Sequence, residues 1–141
     1  MQHGLVITAN SLGTVPWYNF ATGYVAVGTP YTNPFGTGLS DTDLIVTAQG
    51  AVLTDYAAGL ARSYTGGGYS DWYLANVNEW KAICINRTIL GLSETHHWTC
   101  GEYGMSPATY AMTFIPSAGC NNVNAMAKNS DGVATYAVRS F

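Results

Sequence analysis

Apolar and polar residues alternate along the chain in a way that separates a helical middle from a strand-rich second half. Residues 4–9 form a short apolar run, which predicts a buried strand. Ile45 and Ala48 follow one another at helical spacing, Gly50 interrupts the pattern, and residues 57–61 resume it. This region therefore predicts either one helix broken near Gly50 or two short helices.

Helix-start signals mark two helical regions. Residues 41–43 offer an N-cap and negative charge at the start of the first region. In the second region, the Asn76 side chain can accept a hydrogen bond from a first-turn N–H, and Glu79 can reach back to the Asn76 N–H. This capping box predicts a helix over residues 77–86, with Trp80 on its apolar face.

From Trp98 onward, the sequence changes to short aromatic and β-branched runs separated by Gly, Pro and Asn. Such runs predict strands near residues 98–99, 110–115, 123–127 and 135–140. Residues 10–40 are rich in Gly, Pro and aromatic residues, which indicates a packed loop. We therefore predict a single α+β domain spanning residues 1–141, with two helical regions and a small, mostly antiparallel sheet. Its expected core residues are Trp72, Leu74, Trp80, Trp98 and Phe114.

Charged residues are scarce: they make up 9% of the chain, against about 25% in typical soluble domains. With five Lys and Arg residues and a formal net charge of −3, the chain lacks the clustered cations that nucleic acids and anionic membranes attract. No apolar run is long enough to span a membrane, and the first residues do not resemble a signal peptide. We therefore expect cytoplasmic synthesis, no nucleic-acid partner and no membrane insertion. A weakly charged surface suits a protein that is packed into a larger assembly.

The three cysteines, Cys84, Cys100 and Cys120, lie far apart and show no Cys-x-x-Cys spacing. Free cysteines often pack as small buried apolar residues. For all three we prefer buried thiols to a disulfide.

Few residues offer catalytic or metal-binding chemistry. Adjacent His96 and His97 would point in different directions on a strand, and no carboxylate or cysteine lies at ligand spacing on a helix. The acidic residues do not follow a calcium-loop pattern, and no Gly-x-Ser-x-Gly nucleophile motif is present. We predict no catalytic residue, no metal site and no cofactor, and we interpret the chain as a non-enzyme. Asp71 and Glu102 are interpreted as structural, with Glu102 expected to pair with Arg139.

Six motifs occur in order along the chain. They are residues 2–7 followed by Trp17; residues 42–45 with 57–60; Gly68-Tyr69-Ser70-Asp71-Trp72-Tyr73-Leu74 with residues 78–80; residues 98–103; Tyr110 with Phe114; and residues 136–141. Together they resemble a C-type-lectin-like domain found in phage tail proteins and in bacterial surface proteins such as collagen-like adhesins. The resemblance covers nearly the whole chain and implies the C-type-lectin-like fold. Ala75 stands where the family usually has proline, and of the closing arginines only Arg139 is present.

The resemblance also implies an earlier first strand that this chain lacks before His3. In this fold the N- and C-terminal strands normally pair. The C-terminal strand is therefore expected to have an open edge, either because the chain is a piece of a longer protein or because a partner completes the sheet.

The segment over residues 103–129 is rich in Tyr, Met, Asn, Ser and Gly. Tyr gives a large contact area at low entropic cost, and Asn and Ser give adaptable hydrogen bonds, as in antibody paratopes. In the family that the chain resembles, this region varies between copies and forms the exposed ligand face; an ordinary polar loop is the alternative. The predicted ligand-binding residues are Tyr103, Met105, Tyr110, Met112, Asn121, Asn122 and Asn124.

These observations favour a phage virion protein, a tail-fibre or appendage domain that recognises a host surface receptor or glycan. Its expected location is the virion, after synthesis in the host cytoplasm, and its other expected partners are virion subunits. A homo-oligomer is expected and a trimer is plausible, although no coiled-coil heptads are present. One alternative is a structural decoration or adaptor protein of the virion. Another is a bacterial surface adhesin domain that binds glycans.

Overall fold

The computed structural model describes residues 3–141, so Met1 and Gln2, the latter part of the first motif, lie outside the described residues. The predicted α+β class is confirmed, with three α-helices and a mostly antiparallel sheet. The helices are α1 (Gly38–Gln49), α2 (Ala57–Ser63) and α3 (Val77–Cys84). The strands are β1 (Leu5–Ile7), β2 (Gly13–Thr14), β3 (His97–Glu102), β4 (Tyr110–Ile115), β5 (Asn122–Ala127), β6 (Ala134–Thr135) and β7 (Val138–Ser140).

The first helical region is two helices, α1 and α2, separated after Gly50. The predicted start near residues 41–43 is wrong, because α1 begins at Gly38. A first-turn N–H of α1 is satisfied by a distant carboxylate instead of an aspartate N-cap. The Gly38 N–H donates to the Glu79 carboxylate at 3.3 Å. Asp41 lies inside the first turn, where an acid complements the helix dipole.

The predicted capping box at the start of α3 is confirmed. Asn76 Oδ1 accepts from the Glu79 N–H at 2.9 Å, and Glu79 Oε2 accepts from the Asn76 N–H at 2.9 Å. The helix ends at Cys84, two residues before the predicted end.

Five strands form the main sheet in the order β2-β6-β3-β4-β5, where β3 and β6 are parallel and the other pairs antiparallel. The remaining strands, β1 and β7, pair antiparallel with each other, Leu5 opposite Ser140 and Ile7 opposite Val138. On the other side of β7, Val138 forms an isolated bridge with Tyr73. The expected open edge of the C-terminal strand is therefore wrong, because β1 and Tyr73 pair with it from both sides.

Apolar side chains form two core clusters. One contains Trp17, Trp72 and Trp98, and the other contains Trp80 of α3 and Phe114 of β4. All five predicted core residues are buried, as expected from their size and apolar character.

The ion pairs differ from the predicted pairing of Glu102 with Arg139. Arg139 instead donates to Asp71 at 2.5 Å, and Glu102 accepts from Lys128 at 2.5 Å. The predicted structural role of Asp71 agrees with this contact. The Glu102–Lys128 pair is almost completely buried.

The expectation of three thiols is wrong for two of the cysteines. Cys84, at the end of α3, and Cys120, just before β5, form a disulfide with their Cα atoms 5.7 Å apart. Cys100 is a buried thiol, and burial raises its pKa well above the usual value. The long separation along the chain concealed the pairing, because only the fold brings the end of α3 to the β4–β5 connection.

We expect replacement of both Cys84 and Cys120 by Ser to lower the free energy of unfolding by about 2–4 kcal/mol, since the bridge closes a loop across 36 residues of sequence. Chemical denaturation of the variant and of the oxidised wild type measures the difference. Equal midpoints for the two proteins would show that the bridge does not constrain the chain.

Candidate functional site

The register of β4 and β5 separates the predicted ligand-binding residues onto two faces of the sheet. Met112 lies opposite Ala125, and Asn124 lies opposite Thr113. Because residues directly opposite in an antiparallel pair share a face and neighbours along a strand alternate, Met112 and Asn124 point to opposite faces. The seven residues therefore do not form one continuous face.

A surface groove of about 570 Å³ nevertheless brings four of the predicted residues together at the edge of the sheet. The predicted residues that line it are Tyr103, Met105, Met112 and Asn124. The additional lining residues are Tyr31, Gly104, Val123 and Ala125. We call these eight residues the recognition groove.

Exposure differs widely among the predicted residues. Met105 is 83% exposed, whereas Met112 is only 4% exposed and contributes mainly to the core. Tyr110 lies outside the groove but packs edge-on against Tyr103, with ring centroids 6.4 Å apart. This contact supports the ring that forms one wall of the groove.

Asn121 and Asn122 are exposed but do not line the groove. Asn122 Oδ1 accepts a hydrogen bond from Asn124 Nδ2 at 2.9 Å. Asn122 therefore orients the amide of Asn124 at the groove rim, and Asn121 has no contact of this kind in the described part of the chain.

Tyr31 is an aromatic groove residue that the sequence did not predict. Its backbone lies directly on β3, because Gly101 has no side chain: a Cβ there would be 3.0 Å from the Pro30 carbonyl oxygen and 3.4 Å from that of Tyr31. The Glu102 N–H donates to the Thr29 carbonyl at 3.1 Å in the same contact. The aromatic content of residues 10–40 indicated a packed loop, but no spacing linked Tyr31 to Tyr103.

A buried ion pair anchors the loop that leads to Tyr31. The Glu102 carboxylate accepts from the Val27 N–H at 2.8 Å and from the Gly28 N–H at 2.7 Å. Lys128 Nζ completes the arrangement, donating to Glu102 and to the Val25 carbonyl at 2.9 Å. Burial lowers the pKa of Lys128, and the hydrogen bond and charge of Glu102 oppose that effect. The Glu102–Lys128 pair therefore holds the loop that carries Tyr31 against the sheet.

The recognition groove contains no Asp, Glu, Lys, Arg or His among its lining residues. It offers two phenol rings, two thioethers, small apolar side chains and an amide. Aromatic faces and edges contact apolar or CH-rich surfaces, and hydroxyl and amide groups donate and accept hydrogen bonds. Its chemistry suits a neutral ligand with both apolar and hydrogen-bonding groups.

The adjacent histidines engage different partners. His97 is buried, and its Nδ1–H donates to the Thr95 carbonyl at 2.7 Å, while His96 Nδ1 lies 2.8 Å from Thr113 Oγ1. In residues 3–141, no group of three or more His, Cys, Asp and Glu side chains is arranged to hold a metal ion. His97 instead packs against the rings of Trp80 and Tyr136.

Burial lowers the pKa of His97 below its usual value of 6.5. Since the unfolded chain then binds the proton more tightly than the folded one, stability falls as the pH drops below about 6.5, by at most about 1.4 kcal/mol per pH unit. We expect His97→Phe to remove this part of the slope between pH 7 and pH 5, measured by urea denaturation at each pH. Identical slopes in the variant and the wild type would contradict the assignment.

None of the helices that the structure describes is long and apolar enough to cross a membrane. No protein-family model matches the chain, and no curated protein matches it.

Proposed function

We propose that the chain is a C-type-lectin-like recognition domain of a phage virion, in a tail fibre or appendage, that binds a host surface receptor or glycan. The six motifs that resemble this domain class and the α+β arrangement support the proposal. The single observation that carries the binding role is the recognition groove, which contains two tyrosines and an asparagine, has no charged lining residue and is supported by buried contacts.

Tyr31 and Tyr103 would supply most of the binding contact. An aromatic ring can pack on the CH-rich face of a sugar or on an apolar side chain, and its phenol can hydrogen-bond at the rim. The Asn124 amide, oriented by Asn122, would donate to and accept from neutral hydroxyl or amide groups. Met105 would adapt to the shape of the ligand, because its thioether chain is flexible.

The same lining supports a binding role without catalysis. General acid–base catalysis needs a group with a pKa near the working pH, most often His, Glu or Asp. The titratable side chains of the groove are tyrosines. Binding by contact area and neutral hydrogen bonds is the chemistry that this lining offers.

A virion location also accommodates the Cys84–Cys120 disulfide. Disulfides are rare in a reducing cytoplasm and persist on virion surfaces. The bridge would then form after the protein leaves the cytoplasm in which it is made.

The test replaces Tyr31 and Tyr103 together by Ala and measures retention of the purified, labelled protein on cells of candidate host strains. We expect at least a tenfold weaker apparent affinity, since two central aromatic contacts each contribute about 1 kcal/mol or more. The matched control is Tyr69→Ala, which removes a comparably exposed tyrosine outside the groove. Equal loss in the control, or no loss in the double variant, would exclude the groove as the binding site.

A decoration or adaptor role in the virion is the second candidate. A separate exposed apolar surface that includes Phe35, Ile89 and Phe141 favours it, because such surfaces mark contacts between proteins. Cell binding distinguishes the two: a domain that serves only assembly would not be retained on host cells in either the wild-type or the variant form.

A further inference from the structure

A second groove, of about 650 Å³, lies between β1 and the C-terminal part of α3. Its exposed walls are Ile89, which is 88% exposed, Phe35, which is 57% exposed, and Phe141, which is 56% exposed. It shares no lining residue with the recognition groove. Exposed apolar side chains gathered in one place, unlike single scattered ones, mark an interaction surface.

One edge of β1 borders this groove and is open within the described residues. β1 pairs with β7 only, and Gly4 and Phe141 exchange both backbone hydrogen bonds at 3.1 Å. Because hydrogen-bonded and non-hydrogen-bonded pairs alternate in an antiparallel ladder, Val6 also bonds to β7, and Leu5 and Ile7 direct their N–H and C=O groups outward. Among residues 3–141, no backbone hydrogen bond outside the β1–β7 ladder uses Leu5 or Ile7.

The outward N–H and C=O groups of one β1 strand are complementary to those of β1 in a second copy. In an antiparallel pair of two β1 strands centred on Val6, Leu5 of one copy lies opposite Ile7 of the other. Each such pair exchanges two hydrogen bonds. A two-fold arrangement therefore satisfies the outward N–H and C=O groups of both Leu5 and Ile7 in each copy. β1 carries no Lys, Pro or bulge, the features with which edge strands commonly resist pairing.

The charge distribution also permits two copies to meet here. No Asp, Glu, Lys or Arg lines the groove, so the net charge of −3 on each copy lies elsewhere. Arg139, which lies on β7 opposite Val6, is already paired with Asp71. Like-charge repulsion would therefore not oppose contact at this surface.

Exposed apolar side chains around the groove supply part of the area that a dimer would bury. A complete aromatic side chain presents roughly 150–250 Å², so the half-exposed Phe35 and Phe141 together offer about 200 Å² per copy. Ile89, Leu90 and Val6 add further exposed apolar surface. A standard interface buries about 800 Å² per partner, and these side chains supply part of that area.

We propose that this chain forms a two-fold homodimer by antiparallel pairing of β1 with β1 of a second copy, closing the groove lined by Phe35, Ile89 and Phe141. Such a contact is isologous and ends at two copies, unlike the trimer that a fibre tip suggests. The interface leaves the recognition groove of each copy free. The proposal does not depend on what that groove binds.

Sedimentation velocity of the full chain from 1 to 200 µM tests the proposal. We expect a concentration-dependent monomer–dimer equilibrium for the wild type. Ile89→Lys places a charge on an exposed turn of the interface and should weaken the dimer at least tenfold without unfolding the chain, as checked by far-ultraviolet circular dichroism. Met105→Lys, an equally exposed change in the recognition groove, should leave the dimer unchanged.

Amide hydrogen exchange identifies the strand pairing itself. The Leu5 and Ile7 amides should exchange at least tenfold more slowly at concentrations where the dimer forms. The exchange rate of the Val6 amide, which is already bonded to β7, should not depend on concentration. A monomer at every concentration would overturn the proposal and leave the groove to a different virion subunit. A trimer, a dimer unaffected by Ile89→Lys, or a dimer without slowed exchange at Leu5 and Ile7 would overturn it equally.

Discussion

Replacing Lys128 by Met is expected to lower the free energy of unfolding by about 3–5 kcal/mol, because it leaves the Glu102 carboxylate buried without its cation. Glu102 would retain only the Val27 and Gly28 N–H donors, at 2.8 and 2.7 Å. The substitution keeps the length and most of the volume of the side chain, so little of the loss comes from a cavity. The melting temperature should fall by roughly 10–20 °C.

Two comparisons separate the lost charge pair from a general effect of the substitution. Lys81→Met, at a half-buried position on α3 without a charged partner in the described residues, should change stability by no more than about 0.5 kcal/mol. Adding Glu102→Gln to Lys128→Met should recover part of the loss, since the uncompensated charge disappears. A Lys128→Met protein as stable as the wild type would show that the pair does not hold the loop.

Replacing Glu79 by Gln is expected to cost about 2–4 kcal/mol. The Glu79 carboxylate is fully buried and accepts from the backbone N–H groups of Asn76 at 2.9 Å, Gly36 at 3.1 Å and Gly38 at 3.3 Å. It also accepts from the Tyr73 hydroxyl at 3.3 Å. A glutamine presents one oxygen and one NH₂ group in the same space, so at least one backbone donor would face another donor and stay unsatisfied.

The matched control is Glu94→Gln, the same change at an exposed position, which should alter stability by no more than about 0.5 kcal/mol. Burial raises the pKa of Glu79 above its usual value, and the hydrogen bonds from its donors oppose this. A raised folded-state pKa gives a stability contribution that is complete below about 4.5 and is lost as the pH rises through the folded value. A Glu79→Gln protein as stable as the wild type at pH 7 would show that the carboxylate is not needed to satisfy these donors.

The sequence predicted the parts of the fold that depend on local patterns. The capping box of Asn76 and Glu79 was readable because its two partners lie three residues apart on one helical turn. The strand over Tyr110–Ile115 and the burial of the large tryptophans followed from residue type and periodicity. The predicted start of α1 was wrong because the acceptor for its first backbone N–H is Glu79, about forty residues further along the chain.

Features that join distant parts of the chain escaped the sequence. Lys128 lies in an Asn-rich segment that suggests an exposed loop, and only the fold buries it over the Trp17 ring at 4.1 Å. Cys84 and Cys120 give no local signal of their pairing. Of the predicted binding residues, Tyr103, Met105, Met112 and Asn124 line one groove, strand alternation separates Asn122 from Met112, and the Gly101 contact adds Tyr31 to the groove.

The most direct test of the proposed recognition role is hydroxyl-radical footprinting of the wild-type protein, free and bound to intact host cells. Met105, Tyr31 and Tyr103 react readily as sulfur and aromatic side chains, and they line the same groove. We predict that binding to cells protects all three and leaves Tyr69 unchanged. Protection of Tyr69 with no protection of Met105 and Tyr103 would contradict the recognition groove as the site of host binding.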